Sequence, residues 1–218
     1  MFILTKIADL VQITPEDFHK KSSDAIEDNI NAKYANKAGL MLSLDLATHM
    51  LTVTTQQVIQ KIGLCICLYD LLWASEGLVR QGTGNANVNA EFRLVVFRPF
   101  KGEVIMAKIS KCTPEGIHVR TEFFSDIFVE AEELPDGCQF DHNEQLWVWN
   151  NDETGPMWWD VHETVRLAVI GEEWHDQTPT KPTVAPGEDQ PEEQRKPPYV
   201  IKGSMKNPGL GCTLWWEF

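Results

Sequence analysis

Two kinds of side chain in this sequence are spaced for work on a phosphodiester. In FRPFKGEVIMAKISKCTPEGIHVR, Phe97–Arg120, cations recur at Arg98, Lys101, Lys108, Lys111 and Arg120 among β-type apolar residues. Rings stand in or just beyond it, at His118, Phe123, Phe124 and Trp147. Cations along a groove attract phosphates, and aromatic faces stack bases at ~1–3 kcal/mol each. The chain as a whole carries a formal net charge of -13 at pH 7, so a basic hairpin in it needs a reason. The acidity is regional. From Thr121 to Val165 there is no Lys or Arg, but twelve Asp or Glu. A net negative chain can still offer one positive face to nucleic acid.

The other reactive residue types do not assemble into a reaction. His19, His49, His118, His142, His162 and His175 form no His-Glu-x-x-His set and no metal-ligand spacing. No nucleophile elbow and no dinucleotide turn is present. The GTG at Gly82–Gly84 lacks the Lys-Ser or Lys-Thr pair of a phosphate loop, and reads as a tight turn. Glu130, Glu132 and Glu133 sit in a generally acidic stretch and read as a solvated face. Five cysteines form no CxxC pair. Cys65 and Cys67, two apart in a strand, are expected on one face as reduced, buried thiols, which fits a reducing compartment. No cofactor is implied. The apolar start MFILTKIADLVQ has no basic lead and is broken by Lys6 and Asp9, so no signal segment is expected, and no apolar run approaches the ~20 residues of a membrane span.

The elements that must carry these cations are β-rich. Residues 2–12 read as a strand. Thr14, Pro15 and Asp17 resemble a helix start, and Pro15 to about Lys37 reads as helical, as one helix or two shorter ones. Val58–Trp73 reads as one long buried strand. A short strand, the turn at Gly82–Asn85 and a strand alternating at Val88, Ala90, Phe92 and Leu94 follow. From Phe100 onward, five or six short strands between turns predict a small barrel. Within it, Val104 and Met106 alternate with Ile105, so one of these sets must be core. Phe123 and Phe124 point opposite ways, so at most one is exposed. The tryptophans Trp147, Trp149, Trp158, Trp159, Trp215 and Trp216 are expected more in the core or at an interface than as stacking platforms. Residues 177–196, rich in Pro, Thr and acid, read as a disordered loop that interrupts the barrel, and structure returns in PPYVIKGSMKNPGLGCTLWWEF, whose last strand closes it.

The segments FRLVVFRPFKGEVI, KCTPEGIHV, FFSDIFV and EQLWVWNN, with KGSMKNPGLGCTLWW near the end, resemble the stalk subunit of eukaryotic RNA polymerase III. That family is related to subunit seven of RNA polymerase II and to the corresponding stalk protein of archaeal RNA polymerase. GLCICLYD, WVWNN and the Trp-rich ending lean toward the polymerase III member. The resemblance covers nearly the whole chain and implies an α+β architecture. Residues 1–99 would form a truncated RNP-like tip domain, and residues 100–218 a five-stranded OB-fold β-barrel that binds RNA. It also implies a non-catalytic, nuclear protein, paired with a small helical partner subunit and docked on the polymerase III core. Such a protein acts in transcription initiation of tRNA and other small RNA genes. The RNA-facing residues expected on this reading are Lys101, Lys108, Lys111, His118, Arg120 and Phe123, facing single-stranded RNA or tRNA-like transcripts. The equivalent stalk subunit of another polymerase, a free-standing OB-fold RNA-binding regulator and an acidic β-rich enzyme are the competing readings.

One segment departs from the family pattern. Ala38–Gln57, AGLMLSLDLATHMLTVTTQQ, lies where the family passes from helix to strand with little between. It is either a true insertion, packed on the tip domain or a partner, or a retained intron of twenty codons that keeps the reading frame. The second origin is preferred.

Overall fold

The computed structural model describes residues 1–35, 58–151, 155–177 and 196–216. The inserted segment Ala38–Gln57, and all but the two ends of the Pro-rich stretch 177–196, lie outside the described residues. The chain divides into two compact units, Met1–Pro99 and Phe100–Phe218.

The first unit is organised by alternation. In strand β5 (Ala86–Phe97), Val88, Ala90, Phe92, Leu94 and Val96 are buried on one face. β1 (Phe2–Ile13) pairs antiparallel along all of β5, from Phe2↔Phe97 to Ile13↔Ala86. β3 (Gly63–Ala74) pairs on its other side, with β2 (Val58–Ile59) at its edge and β4 (Leu78–Val79) also on β5. Helix α1 (Ser22–Tyr34) covers the apolar face with Ala25, Ile26 and Ile30. A single helix suffices because only one face of the sheet is apolar throughout. The helix is shorter than Pro15–Lys37. Pro15–Asp17 forms one 3-10 turn, and Thr14 makes no side-chain bond to the backbone there.

Two expectations for this unit are overturned. Val58–Trp73 is a hairpin, not one long strand: the chain turns at 60–62, with Lys61 at φ 63, between β2 and β3. Nor is it buried throughout, since Tyr69, Leu72 and Trp73 are exposed. Cys65 and Cys67 do not share a face either. Cys65 pairs with Val96 and Cys67 with Val95, across a register shift at Ile66. The bulge breaks the period of two, leaving Cys65 buried and Cys67 exposed.

The second unit is a closed barrel. Its strands are β6 (Val104–Thr113), β7 (Gly116–Arg120), β8 (Ile127–Glu130), β12 (Thr164–Trp174) and β13 (Tyr199–Ser204). Around the barrel they run β6–β7–β8–β13–β12 and back to β6, with β8–β13 the parallel pair. That is an OB-type five-stranded barrel. Ile105, Ile109, Ile117, Val119, Ile127, Val129, Val165, Leu167 and Ile201 fill it. Two glycines let strands come close. A Cβ on Gly116 (φ +155) would stand 2.1 Å from the Val129 carbonyl oxygen, and one on Gly203 would stand 2.7 Å from Leu167.

The strand-like pieces between Cys138 and Trp158 do not join the barrel. β9 (Cys138–Asp141), β10 (Leu146–Asn151) and β11 (Gly155–Trp158) form their own antiparallel sheet. β14 (Gly211–Cys212) pairs with β12, and a 3-10 turn over Thr213–Trp216 follows. Trp159 is fully buried and meets Trp215 edge-on at 4.5 Å. At the neck of the Pro-rich stretch, His175 N–H donates to the Pro198 carbonyl at 3.0 Å, and the Gln177 side chain to that of Lys196 at 2.9 Å.

Candidate nucleic-acid interface

The outer face of the barrel is set by which residues its core takes. Ile105, Ala107 and Ile109 of β6 point inward, so Val104, Met106 and Lys108 point out. Strict alternation would then turn Lys111 inward. A bulge between Ile109 and Lys111 resets the phase, and the Ser110 hydroxyl donates to the His118 carbonyl at 3.0 Å. Lys108 and Lys111 therefore share the solvent face, although they are three positions apart. On β7, Ile117 and Val119 are buried, leaving His118 and Arg120 exposed.

Pairing then builds rows across the strands. Lys108 stands opposite Arg120, and Lys111 opposite His118. His118 stands opposite Phe128 of β8, and Phe128 beside Lys202 of β13. On the other side of β6, Arg166 of β12 faces Met106. The His118 and Phe128 rings lie 4.7 Å apart at 43°. Burial, then the neighbouring Lys111 charge, push the His118 imidazole below its ordinary value, so it is neutral at pH 7.

Lys108 opposite Arg120 is an unfavourable like-charge pair, by up to ~1 kcal/mol. Among the described residues, Lys101, Lys108, Lys111, Arg120 and Arg166 make no ion pair. The outermost cation of the row behaves differently: Lys202 is held between Glu130 at 2.8 Å and Glu173 at 2.7 Å. Hydrogen bonds from Lys202 to these two carboxylates raise its affinity for the proton.

The remaining expected residues lie elsewhere. Lys101 is exposed in the turn before β6, and Phe123 is half-buried in the β7–β8 connection. Phe124 and Trp147 are core residues. Phe124 is 2% exposed and packs on Tyr199, and the Trp147 indole N–H donates to the Thr113 carbonyl at 2.9 Å. Neither can stack a base. Sequence alone does not single out Phe128, Arg166 and Lys202, because only strand pairing brings them beside the basic hairpin.

No catalytic constellation appears among the described residues. No group of three or more His, Cys, Asp or Glu there could hold a metal ion. A groove of about 520 Å³ beside the start of α1 is lined by apolar residues, Ser22, Ser23 and Ser75, and the charged Asp17, Lys20 and Glu76, and Asp17 is already paired with Lys20. Burial pushes the Cys65 thiol up to about 12 and the Cys138 thiol up to about 11, the reverse of what a nucleophile needs. No helix among the described residues is long and apolar enough to cross a membrane.

The sequence model described as RNA polymerase III subunit Rpc25 matches residues 103–216. The chain belongs to the Rpc25 family. The SHS2 domain found in the N terminus of Rpb7p and Rpc25p matches residues 8–84. Relatives agree along the whole length. DNA-directed RNA polymerase III subunit RPC8 of Saccharomyces cerevisiae is 36% identical over 100% of this chain and 100% of its own. The Bos taurus protein of the same name is 37% identical over 99% of this chain and 98% of its own. RNA polymerase II subunit RPB7 of Saccharomyces cerevisiae is similar over a shorter part, 32% identical across 35% of this chain and 44% of its own. The Rpc25 family supplies an accessory subunit of the polymerase, not its catalytic one. Both the family and its fold, an SHS2 unit followed by a barrel, agree with the resemblance drawn from sequence.

Proposed function

We propose that this chain is a stalk subunit of RNA polymerase III, working in the nucleus in transcription initiation of tRNA and other small RNA genes. In this role the first unit docks on the polymerase core and, with a small helical partner subunit, forms the stalk. The barrel holds single-stranded RNA, such as an emerging tRNA-like transcript, on its outer face. Lys101, Lys108, Lys111 and Arg120 attract phosphates, and His118 offers a ring to a base. Phe123 flanks that face from the β7–β8 connection.

The observation that carries the RNA reading is the set of outward cations left without carboxylate partners on a closed OB-type barrel of an acidic chain. Lys108 and Arg120 are held side by side against their own repulsion, and a phosphate between them would relieve it.

Two measurements test this. Mild purification of the tagged chain from cells should recover polymerase III core subunits and a helical partner. Recovery of the chain alone would remove the stalk role. Separately, Lys101→Ala, Lys108→Ala and Lys111→Ala together should weaken binding of single-stranded RNA of any sequence. They should also reduce the slope of log affinity against log salt by about 0.7 for each lost phosphate contact. An unchanged affinity and slope would take the hairpin out of the RNA site.

A further inference from the structure

On the reading that the barrel binds RNA, we infer that the strand crosses β12, β6 and β7, with Arg166 as an added phosphate contact, and stops short of β13. An OB barrel has two available routes on this side. One runs over the second and third strands, here β7 and β8, toward the last strand β13. The other runs back over β6 to β12. The two halves of the face differ in what a phosphate would meet.

On the β12 side, Arg166 points outward between buried Val165 and Leu167. It faces Met106, and its neighbour Thr164 faces Lys108. Arg166 is thus a diagonal neighbour of Lys108, at roughly 7–8 Å between backbones, about the spacing of successive phosphates on an extended strand. No carboxylate pairs with it among the described residues. Met106, 61% exposed, lies between the cations and gives a sugar or base an apolar surface. Arg166, Lys108 with Arg120, and Lys111 with His118 then form a continuous track over three adjacent strands.

On the β13 side the track is closed. Phe128 still offers a ring beside His118, but the next cation is Lys202, already bound by Glu130 and Glu173. That triad carries a net negative charge when both carboxylates are ionised. A phosphate arriving there would meet two acids and a cation with no free capacity, and breaking the triad would offset what Lys202 could return. His118 and Phe128 therefore mark the end of the path, where the last base stacks.

The test uses the full chain and a fluorescein-labelled oligouridylate of about twelve nucleotides, within the span of one OB barrel, followed by anisotropy over a salt series. Arg166→Ala should weaken binding about fourfold near 0.15 M salt, lower the salt slope by about 0.7, and be largely restored by Arg166→Lys. The variant Glu130→Gln with Glu173→Gln and Lys202→Gln should bind within about twofold of the parent with an unchanged slope. If Arg166→Ala is silent and the triple variant loses affinity and slope, the path runs over β13 and the inference is wrong, while RNA binding stands. If the parent chain does not bind the oligonucleotide at all, the RNA reading itself fails, and the path with it. An Arg166→Ala chain that Arg166→Lys does not rescue marks Arg166 as structural, and also overturns the assignment.

Discussion

The two units use the same charged residue types in opposite ways. In the first, the cations on the strands and on α1 are paired internally. Lys6 pairs with Glu91 at 2.6 Å, and Arg93 holds Asp70 through two nitrogens at 2.8 and 2.5 Å. Lys33 and Tyr34 both donate to Asp9, tying α1 to β1. Lys20 bridges Asp17 and Asp28. In the barrel, the outward cations of β6, β7 and the start of β12 have no such partners among the described residues, and two of them face each other. A pair that closes on itself contributes little to stability when exposed. A cation left open costs little in isolation and keeps its field for a ligand. The same residue type thus fixes geometry in one unit and supplies binding potential in the other.

The sharpest way to separate the units is to break one and watch the other. Gly116→Ala puts a Cβ against the Val129 carbonyl at the β7–β8 pairing, and should cost more than about 3 kcal/mol. Phe92→Ala removes a fully buried ring that packs on Tyr34, and should cost about 3–5 kcal/mol. Thiol labelling reads both, because the buried cysteines are divided between the units. Gly116→Ala should expose Cys112 and Cys212 but not Cys65, and Phe92→Ala the reverse. Equal exposure of all three in both variants would show that the units unfold as one.

The next effect is functional. Lys108→Ala, Lys111→Ala and Arg120→Ala together should lower RNA affinity about fiftyfold and leave stability unchanged or raised by up to about 1 kcal/mol, as the Lys108–Arg120 repulsion is relieved. Lys6→Ala with Arg93→Ala in the first unit should leave RNA affinity unchanged. If the first-unit pair weakened binding as strongly, the contrast between paired and open cations would collapse.

How far this contrast was legible in the sequence depends on the range of the information needed. The β5 alternation and the division of β6 into two alternating faces are local patterns, and they appear where the periodicity puts them; which β6 face is core, and that Tyr199–Ser204 is the strand that closes the barrel, only the fold decides. The cation excess of the hairpin is equally local. What escaped is phase and register. Nothing in GLCICLYD marks the bulge at Ile66 that turns Cys67 outward, and nothing in AKISK marks the one that brings Lys111 back beside Lys108. Arg166 and Lys202 lie far along the chain from the hairpin, and only barrel closure shows that one is open and the other already bound. Trp147 reads both as a candidate ring for a base and as a core or interface tryptophan, and its indole, donating to the Thr113 carbonyl inside the fold, decides for the core.

A smaller effect sharpens the barrel side. His118 is neutral at pH 7 because burial, and then Lys111, disfavour its proton. Acidification from about pH 8 to about pH 5.5 should therefore leave RNA affinity flat at first, then raise it as the imidazole gains charge beside phosphate. His118→Phe should keep the ring and lose the pH response. An equal rise in that variant would place the titrating group elsewhere.

The smallest expected effect belongs to the first unit. Burial alone would raise the Asp9 carboxyl, but hydrogen bonds from Lys33 and Tyr34 hold it below its ordinary value. A depressed carboxylate contributes stability that is present above the unfolded-state value and is lost as pH falls through the folded-state one. The part due to Asp9 is therefore intact at neutral pH and fades below about pH 4. Because Lys33 is largely exposed, that part is at most about 1 kcal/mol. Asp9→Asn should lower the melting temperature of the first unit slightly at pH 7, and by progressively less as pH falls below about 4, with RNA binding untouched at neutral pH. A difference that persists in acid would mean that the Tyr34 contact, which an amide can partly keep, matters more than the charge.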